Sequence, residues 1–251
     1  MKLAIITGAA QGIGLRTAEL LAANGFSLAL IDLKPCPQIA SADTQQYTGS
    51  ITDESFVTST IATIHQHFGR IDVLVNNAGI SFISPAENVS ATDFRRVLEV
   101  NLVAPFLLAR AVGSIMLQQQ QGSIINIASI AGLTGIADRS AYNASKHGLI
   151  GLTRTLAAEW GAHGVRTNAV CPGWVKTEMD HVDQANGTYT DADITGRVPM
   201  GRFASADDIA NAVLFLADPT RSGFINGHTL AVDGGWTADG SWQSLRMSHR
   251  S

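Results

Sequence analysis

The chain has 251 residues, of which 45% are apolar and 24 are glycine, so it can bury a substantial core and is neither disordered nor a coiled coil. Its formal charge is −4, and no stretch concentrates Lys and Arg. Charge therefore gives no support for a nucleic-acid partner or for binding to an anionic membrane surface.

The cysteine content and the N-terminal residues indicate the cellular compartment in which the protein is expected. Cys36 and Cys171 are too few for a disulfide framework and are not spaced for a metal site, so we expect a reduced cytoplasmic protein without a bound metal. The apolar run at the N-terminus stops at Thr7. We expect neither a signal peptide nor a membrane span, because a span needs about 18 apolar residues.

Short apolar runs alternate along the chain with longer segments of helical spacing. Strands are predicted at Leu3–Thr7, Ser27–Asp32, Ile71–Asn76, Ser123–Ala128, Arg166–Val170 and His228–Val232. Helices are predicted at Gly14–Asn24, Asp53–Phe68, Ala91–Met116, Ala141–Trp160 and Ala206–Ala217. This order predicts one α/β domain over residues 1–251, a Rossmann-type doubly wound parallel sheet with helices on both faces.

Three segments depart from that rhythm. Two prolines flank Cys36, so the crossover after Asp32 is predicted to be short or loop-like, ahead of a strand around Gln46–Gly49. Residues 118–121 are all Gln and are predicted to form a solvated turn. Glu178–Pro199 is polar with weak periodicity, which indicates a mobile flap between two firmer elements.

A glycine-rich stretch, Thr7-Gly8-Ala-Ala-Gln-Gly12-Ile-Gly14, follows the first strand and opens a helix. Glycines let the backbone approach a pyrophosphate, and the helix N-terminus offers free N–H groups; a plain tight turn is the alternative interpretation. Asp32 ends the second strand, where a carboxylate can accept hydrogen bonds from an adenosine ribose or simply cap a turn. We predict that a dinucleotide contacts Gly8, Gln11, Gly12, Ile13, Gly14 and Asp32.

The same carboxylate bears on which nicotinamide cofactor is used. Asp32 would repel a 2′-phosphate, which favours NAD over NADP. Lys34 argues the other way because it could attract that phosphate, whereas Gln11 adds no positive charge. NAD is the predicted cofactor, and NADP is the less favoured one.

The stretch Ser140-Ala-Tyr142-Asn-Ala-Ser-Lys146 puts a tyrosine and a lysine on one face of a helix. A free phenol has a pKa of about 10, too high for a base near neutrality, and a nearby ammonium lowers that pKa because it favours the phenolate. Ser129 follows a predicted strand, so its hydroxyl can meet the substrate oxygen that Tyr142 also meets. The alternative is a half-buried tyrosine and a surface lysine without a chemical role.

These motifs, in this order, resemble the classical short-chain dehydrogenase/reductase family from Leu3 to about Trp236. TGAAQGIG matches the family's TGxxxGxG loop, NNAG at 76–79 matches its next motif, and Pro172-Gly173 matches its PG motif. The resemblance implies further cofactor contacts at Ile51, Asn77, Ala78, Gly79, Tyr142, Lys146, Pro172, Gly173, Val175 and Thr177.

The resemblance also implies a reaction, which is hydride transfer between a secondary alcohol or its ketone and nicotinamide. Tyr142 would exchange the proton and Ser129 would orient and polarise the oxygen. Lys146 would lower the pKa of Tyr142 and hold the nicotinamide ribose. Asn101 would support a water-linked proton path beside Lys146, and packing at a helix kink is a role that it could have as well.

Substrate selectivity is expected in the loops Ser81–Val89, Ile130–Ala141 and Glu178–Pro199. Their polar side chains favour a sugar, a polyol or a hydroxy acid, although Phe82 and Trp174 could floor an apolar pocket. Many relatives carry an adenine-contacting Asp where this chain has Ser50. The family implies a homotetramer in which the helices Ala91–Met116 and Ala141–Trp160 pack across a dyad.

The tail at 236–251 is longer than the usual family ending. It is expected to cap a pocket, to reach a neighbouring subunit or to be disordered.

Two other functions stay open. One is an NADPH-dependent reductase of 3-oxoacyl thioesters, against which Asp32 and the absence of a basic stretch argue. The other is a nicotinamide-binding regulatory protein without catalysis, which the intact set of Asn101, Ser129, Tyr142 and Lys146 disfavours.

Overall fold

Seven parallel strands form one sheet in the computed structural model, which describes residues 1–39, 43–176, 189–242 and 245–246. The strand order is β3-β2-β1-β4-β5-β6-β7. The strands are β1 (Lys2–Thr7), β2 (Phe26–Asp32), β3 (Thr44–Thr48), β4 (Val73–Asn76), β5 (Gly122–Ile127), β6 (Val165–Pro172) and β7 (Thr229–Val232). The predicted doubly wound α/β fold is confirmed.

Helices cover both faces of this sheet. They are α1 (Gly12–Ala23), α2 (Glu54–Phe68), α3 (Ala91–Leu98), α4 (Ala104–Gln119), α5 (Ser140–Trp160), α6 (Asp191–Arg197), α7 (Ala206–Ala217) and α8 (Pro219–Ser222). Apolar side chains of α2, α4 and α5 pack on one face, and those of α1 and α7 pack on the other. Along β1, Leu3 and Ile5 belong to the first core and Ala4 and Ile6 to the second, which explains its uninterrupted apolar sequence.

The chain order reverses between β1 and β4. Strands β2 and β3 extend the sheet from β1 in one direction, and β4 to β7 extend it in the other. The connections after β1 and β4 therefore leave in opposite directions and open a crevice at the carboxyl ends of the strands. Thr7 lies opposite Ile31 and Asn76 opposite Asn126 at that edge, so the predicted site motifs meet there.

One local prediction is confirmed and three are refined. The crossover after Asp32 is irregular at 33–39, as expected, and β3 begins two residues earlier than predicted. The helix predicted at Ala91–Met116 contains a π turn at Glu99–Val103. In the segment predicted as a flap, Thr190 and Asp193 form a capping box that starts α6, a helix too short to give a visible period.

The glutamine run is not a solvated turn throughout. Helix α4 extends through Gln119, and the turn follows at Gln120, which has φ of 54°. The side chain of Gln119 accepts from the N–H of Ile71 over 2.9 Å and donates to its carbonyl over 2.7 Å. These two bonds tie the end of α4 to the segment that precedes β4.

No membrane span was expected from the sequence, and one helical run nevertheless meets the length and composition criterion for one. The helical run Ala91–Gln119 has 29 residues and an 18-residue window of mean hydropathy 1.8, which meets that criterion by length and composition. Half of this window is buried inside the protein. A core helix shows the same burial, since its apolar side chains pack against the sheet.

A buried polar network joins β4, β5 and α5. Asn76 Nδ2 donates to Asn126 Oδ1 over 2.9 Å, and Asn126 Nδ2 donates to Thr153 Oγ1 over 2.9 Å. The Thr153 hydroxyl donates to the carbonyl of Leu149 within α5. All three polar side chains are buried, so removing one leaves its neighbour unsatisfied in the core. The network fixes α5 against the two strands.

We predict that Thr153→Val destabilises the protein by about 1–3 kcal/mol, because Asn126 Nδ2 loses its buried acceptor while the packing volume is kept. Thr155→Val is the matched control. Thr155 makes the same kind of bond to a carbonyl four residues earlier on α5, but it is exposed, so its change should stay within about 0.5 kcal/mol. Denaturant unfolding of both variants measures the difference, and equal stabilities would contradict the role of the network.

Candidate active site

The carboxyl ends of the strands enclose a cavity of about 550 Å³. Most of the predicted site residues line it, namely Gly8, Gln11, Gly12, Ile13, Asp32, Ile51, Asn77, Ala78, Gly79, Ser129, Tyr142, Lys146, Pro172, Gly173 and Val175. Gly14 and Asn101 are not among the described residues that line it. Thr177 was predicted to bind cofactor and lies outside the described residues.

Two positions of the glycine loop require glycine for different reasons. Gly8 has φ of +65°, and a Cβ there would lie 2.8 Å from the Cα of Ala78. A Cβ on Gly14 would overlap the carbonyl oxygen of Gly8. The lack of a side chain at Gly14 thus allows α1 to pack closely against the glycine loop. Helix α1 begins at Gly12 on the cavity wall, where the N–H groups of its first turn suit a phosphate.

Asn77 and Thr7 hold the glycine loop in place. Asn77 Nδ2 donates to the carbonyls of Thr7 and Gly8, each over 3.0 Å. The backbone N–H groups of Asn77 and Ala78 both donate to Thr7 Oγ1 over 3.1 Å. The Asn77 side chain is therefore structural. The sequence did not predict that the Thr7 hydroxyl accepts these two bonds, although Thr7 is the first residue of the glycine-rich motif.

The Asp32 carboxylate lies on the cavity wall at the end of β2. Its Oδ2 accepts from the N–H of Ala10 in the glycine loop over 3.0 Å, and its Oδ1 accepts from the N–H of Lys34 over 3.0 Å. The two interpretations of Asp32 are compatible, because it caps the turn and also faces the cavity. Lys34 is exposed on the same wall.

Lys146 is a buried cation beneath the predicted proton donor. It is 4% exposed, and its Nζ donates to the carbonyl of Ile127, the last residue of β5, over 2.8 Å. The same Nζ lies 5.6 Å from the centre of the Tyr142 ring. Burial lowers the pKa of Lys146 to about 8. At neutral pH the ammonium is therefore still mostly protonated beside the phenol.

Asn101 holds the backbone that passes Lys146. Its Oδ1 accepts from the N–H of Ile80 and its Nδ2 donates to the carbonyl of Ile80, both over 2.9 Å. Nδ2 also donates to Ser145 Oγ over 3.1 Å, and Ser145 donates to the carbonyl of Tyr142 over 2.7 Å. Asn101 lies in the π turn, a feature that is frequent at functional sites. The predicted helix-kink role is thus present.

Ser129 begins the turn that follows β5. Its Oγ accepts from the N–H of Ala131 over 3.1 Å, which fixes the side chain at the cavity wall. Ser129 and Tyr142 line the same cavity from different elements, as the sequence predicts. The hydroxyl can still donate its proton to a substrate oxygen, because the bond to Ala131 uses it only as an acceptor.

The sequence interpretation missed Ser145. This residue is fully buried and links Asn101 to Tyr142, yet a serine between two predicted catalytic residues gives no distinctive signal. Trp174, which was expected to floor a pocket, lines the cavity, as do Ser81 and Tyr189 of two loops that were expected to set selectivity. The rings of Trp174 and Tyr189 meet edge to face, with their centres 4.9 Å apart.

The described part of the C-terminal tail packs beside the cavity. The Trp236 ring lies 5.9 Å from the Trp174 ring, and the Arg197 guanidinium of α6 lies 4.7 Å from the Trp236 ring centre. Asp239 accepts from Arg197 over 3.1 Å and from Arg246 over 3.0 Å. Of the three expectations for the tail, these contacts favour the one in which it caps the pocket.

Known proteins resemble this chain over nearly its full length. A family model described as enoyl-(acyl carrier protein) reductase matches residues 8–237. D-threitol dehydrogenase of Mycolicibacterium smegmatis is 39% identical over 246 residues, which cover 94% of this chain and 93% of the relative.

Solved structures also match this chain over nearly its full length. Levodione reductase superposes with a TM-score of 0.90 at 33% identity, covering 94% of this chain and 98% of that one. ElxO with NADP bound superposes with a TM-score of 0.89 at 32% identity, covering 95% and 99%.

We predict that Lys146→Met stabilises the protein without cofactor at neutral pH. A pKa lowered from 10.5 to about 8 corresponds to about 3 kcal/mol lost on folding, and the bond to Ile127 returns about 1 kcal/mol, so the expected gain is about 2 kcal/mol. Below pH 8 the lysine is protonated in both folded and unfolded states and its full penalty is present. Between pH 8 and 10.5 the unfolded state binds more protons, so the wild type gains stability and the difference shrinks.

Thermal unfolding of both proteins from pH 7 to pH 10.5 measures this trend. Lys34→Met removes an exposed lysine from the same cavity and serves as the control, with no comparable change expected. A Lys146→Met protein that is less stable than the wild type at pH 7 would contradict the account of a buried, destabilising cation.

Proposed function

The chain belongs to the classical short-chain dehydrogenase/reductase family, and from this premise we propose that it is an NAD-dependent dehydrogenase of a secondary alcohol, acting reversibly on the ketone. The observation that carries the proposal is the meeting of Ser129, Tyr142 and Lys146 with the glycine loop on one cavity. The family relationship makes it an oxidoreductase of alcohols or ketones. The preference for NAD and the substrate class are the proposed parts.

The cavity fits a nicotinamide dinucleotide. The positive φ of Gly8 and the close approach at Gly14 leave a side-chain-free cradle beside the N-terminus of α1 for a pyrophosphate. Asp32 and Ile51 would hold the adenosine end, and Pro172, Gly173 and Val175 would hold the nicotinamide end. When bound there, the nicotinamide supplies the hydride acceptor or donor.

Tyr142 exchanges the proton in the proposed mechanism. During alcohol oxidation its phenolate accepts the hydroxyl proton of the substrate, and during ketone reduction its phenol returns a proton to the oxygen. The Ser129 hydroxyl donates to the same oxygen, which places the reacting carbon and stabilises the charge that develops there. Both groups come from fixed backbone, since Ser129 begins the turn after β5 and Tyr142 lies in the first turn of α5.

Lys146 makes this proton exchange possible near neutral pH. Its ammonium favours the phenolate of Tyr142 over the phenol, because the opposite charges lie close together in a buried site. The Ile127 carbonyl holds Nζ in place, and the Ile80–Asn101–Ser145 chain holds the backbone around it. A water-linked proton path from Lys146 past Asn101 stays a prediction.

The preference for NAD rests on Asp32. Its carboxylate lies on the cavity wall, oriented by Ala10 and Lys34, where it can accept from a ribose hydroxyl and would repel a 2′-phosphate. Lys34 and the NADP bound to ElxO are the observations against it. Lys34 is exposed, and its charge is therefore screened more strongly than that of the partly buried carboxylate.

A polyol, sugar or hydroxy acid is the proposed substrate class. The similarity to a threitol dehydrogenase and the polar groups of Ser81, Arg139 and Tyr189 on the wall support it. The alternative is an NADPH-dependent 3-oxoacyl-thioester reductase, towards which the description of the matching family model points. Asp32 and a formal charge of −4 argue against that alternative.

We also propose a homotetramer in the cytoplasm. Both cysteines are free thiols, which suits a reducing compartment. Phe106 of α4 is 41% exposed with the Arg110 guanidinium 5.8 Å from its ring centre, a surface that a neighbouring subunit could cover. Sedimentation would give the subunit number.

We predict NADH formation from NAD with at least one class in a panel of polyols, sugars, hydroxy acids and simple secondary alcohols. Tyr142→Phe should lower kcat by about 10²-fold or more, because the proton acceptor is lost, while NADH affinity stays within about threefold. Tyr189→Phe removes a hydroxyl from the same cavity and is the control, with a much smaller effect expected. Turnover that survives in Tyr142→Phe would contradict the mechanism.

We further predict that Asp32→Asn raises the ratio of NADP to NAD kcat/KM by about 10- to 100-fold, since about 1.4 kcal/mol of repulsion is worth tenfold. Steady-state rates with both cofactors at one ionic strength measure the ratio. Asp43→Asn, which removes an exposed carboxylate outside the cavity, should leave the ratio unchanged. A wild type that prefers NADP would overturn the assignment of NAD.

A further inference from the structure

The chain that follows β7 turns back against the wall of the cavity. The Asp233 carboxylate is buried and accepts from the N–H groups of Gly235 and Thr237, each over 2.9 Å. The N–H of Gly173 on the cavity wall donates to the carbonyl of Val232 over 2.9 Å, and a Cβ on Gly173 would lie 2.8 Å from the Cα of Asp233. The tail therefore leaves the sheet in a fixed turn, packed against the PG motif.

Trp236 in that turn contacts an aromatic side chain of the wall. Trp174 lines the cavity, and its ring centre lies 5.9 Å from that of Trp236 and 4.9 Å from that of Tyr189. All three residues are half-buried. The guanidinium of Arg197, the last residue of α6, lies 4.7 Å from the centre of the Trp236 ring. Trp236 thus contacts both a residue of the cavity wall and a cation at the end of α6.

Asp239 joins this cation to the tail. Its Oδ2 accepts from Arg197 Nη1 over 3.1 Å and from Arg246 Nε over 3.0 Å, and its backbone carbonyl accepts from Arg197 Nη2 over 2.9 Å. In these two ion pairs the more exposed partner is 26% and 18% exposed, against 43% or more in every other ion pair of the described residues. Water therefore screens the Asp239 pairs less than those at the open surface.

We infer that Asp239 is a positioning residue for the reaction, which through Arg197 holds the tail and α6 together behind Trp174. The inference rests on the proposed function, because the substrate has to bind at that wall beside Tyr142. A wall that is already ordered adds no ordering cost to substrate binding. Without the Asp239 carboxylate, the tail and α6 separate more readily, and substrate binding has to restore the wall. The cost then appears in KM, while kcat and cofactor affinity change little.

Steady-state kinetics with the alcohol that the wild type oxidises best test this role. Asp239→Asn keeps the size of the side chain and removes its charge. It should raise KM for the alcohol about 10-fold, as expected for the loss of one charge-assisted bond, and change kcat and the NADH dissociation constant by less than about threefold. An unchanged KM, or a fall in kcat as large as the fall in kcat/KM, would overturn the inference.

Asp208→Asn is the matched control for a general loss of stability. Asp208 also accepts from an arginine, Arg202, and from the backbone N–H of Ser205. It lies in the first turn of α7 and outside the described cavity wall. This control should keep the wild-type KM, and a rise in KM equal to that of Asp239→Asn would contradict a specific role for Asp239.

A double-variant cycle asks whether Arg197 and Asp239 act through each other. Arg197→Met keeps an aliphatic stem beside Trp236 but loses both bonds to Asp239, so it should raise KM at least as much as Asp239→Asn does. The double variant should match Arg197→Met within about twofold, because the shared interaction is already lost. Increases in KM that multiply in the double variant would show two independent effects and would overturn the inference.

Fluorotryptophan NMR of the protein without substrate separates the inference from the proposed function. The chain has four tryptophans, so four fluorine signals are expected, and Trp174→Phe and Trp236→Phe assign the two that matter. Asp239→Asn should shift or broaden both of these signals and leave that of Trp160, which packs on the core from α5, unchanged. Failure of the wild type to oxidise any alcohol would count against the dehydrogenase alone. Unchanged Trp174 and Trp236 signals in Asp239→Asn would overturn the positioning role, whether or not an alcohol turns over.

Discussion

A buried ammonium is the constraint on which the catalytic side of the molecule depends. Lys146 lies almost wholly out of water, and burial shifts its pKa down to about 8. A buried charge destabilises the folded protein unless hydrogen bonds and a nearby anion offset the loss of its hydration. The carbonyl of Ile127 provides one such bond, and a phenolate on Tyr142 would be the anion. In the proposed mechanism, the lysine that weakens the fold is thus also the group that lowers the pKa of the tyrosine.

The surrounding structure holds Tyr142 and Lys146 at a fixed separation. Helix α5 places Tyr142 and Lys146 on one face, and the Asn76–Asn126–Thr153 network holds that helix against β4 and β5. From the other side, Asn101 holds the Ile80 backbone and reaches Tyr142 through Ser145. These bonds come from elements far apart in the chain. The site is therefore rigid because the whole sheet and its helices support it, in keeping with the demands of proton exchange at a fixed distance.

Sequence patterns predicted the framework well, because the physics behind them is local. The apolar run of β1 shows a strand buried on both faces, and the glycines of the first loop follow from close backbone approaches at Gly8 and Gly14. The π turn around Asn101 was not predictable, since its hydrogen-bonding partners at Ile80 and Ser145 are brought together only by the fold. Helix α6 was missed because seven residues carry little periodicity. The contact of the Arg139 guanidinium with the Trp174 ring, 5.5 Å from its centre, likewise joins two segments that no local pattern connects.

The most direct test of this account is a titration of the tyrosines themselves. The chain has three, Tyr47, Tyr142 and Tyr189, so ring-labelled tyrosine gives three resolvable NMR signals in the NAD complex, and Tyr142→Phe assigns one of them. We expect Tyr142 to ionise at a lower pH than the other two and below the value of about 10 for a free phenol, and to lose that difference in Lys146→Met. A Tyr142 signal that titrates with the others, or that ignores the loss of Lys146, would contradict the claim that the buried ammonium creates the catalytic group.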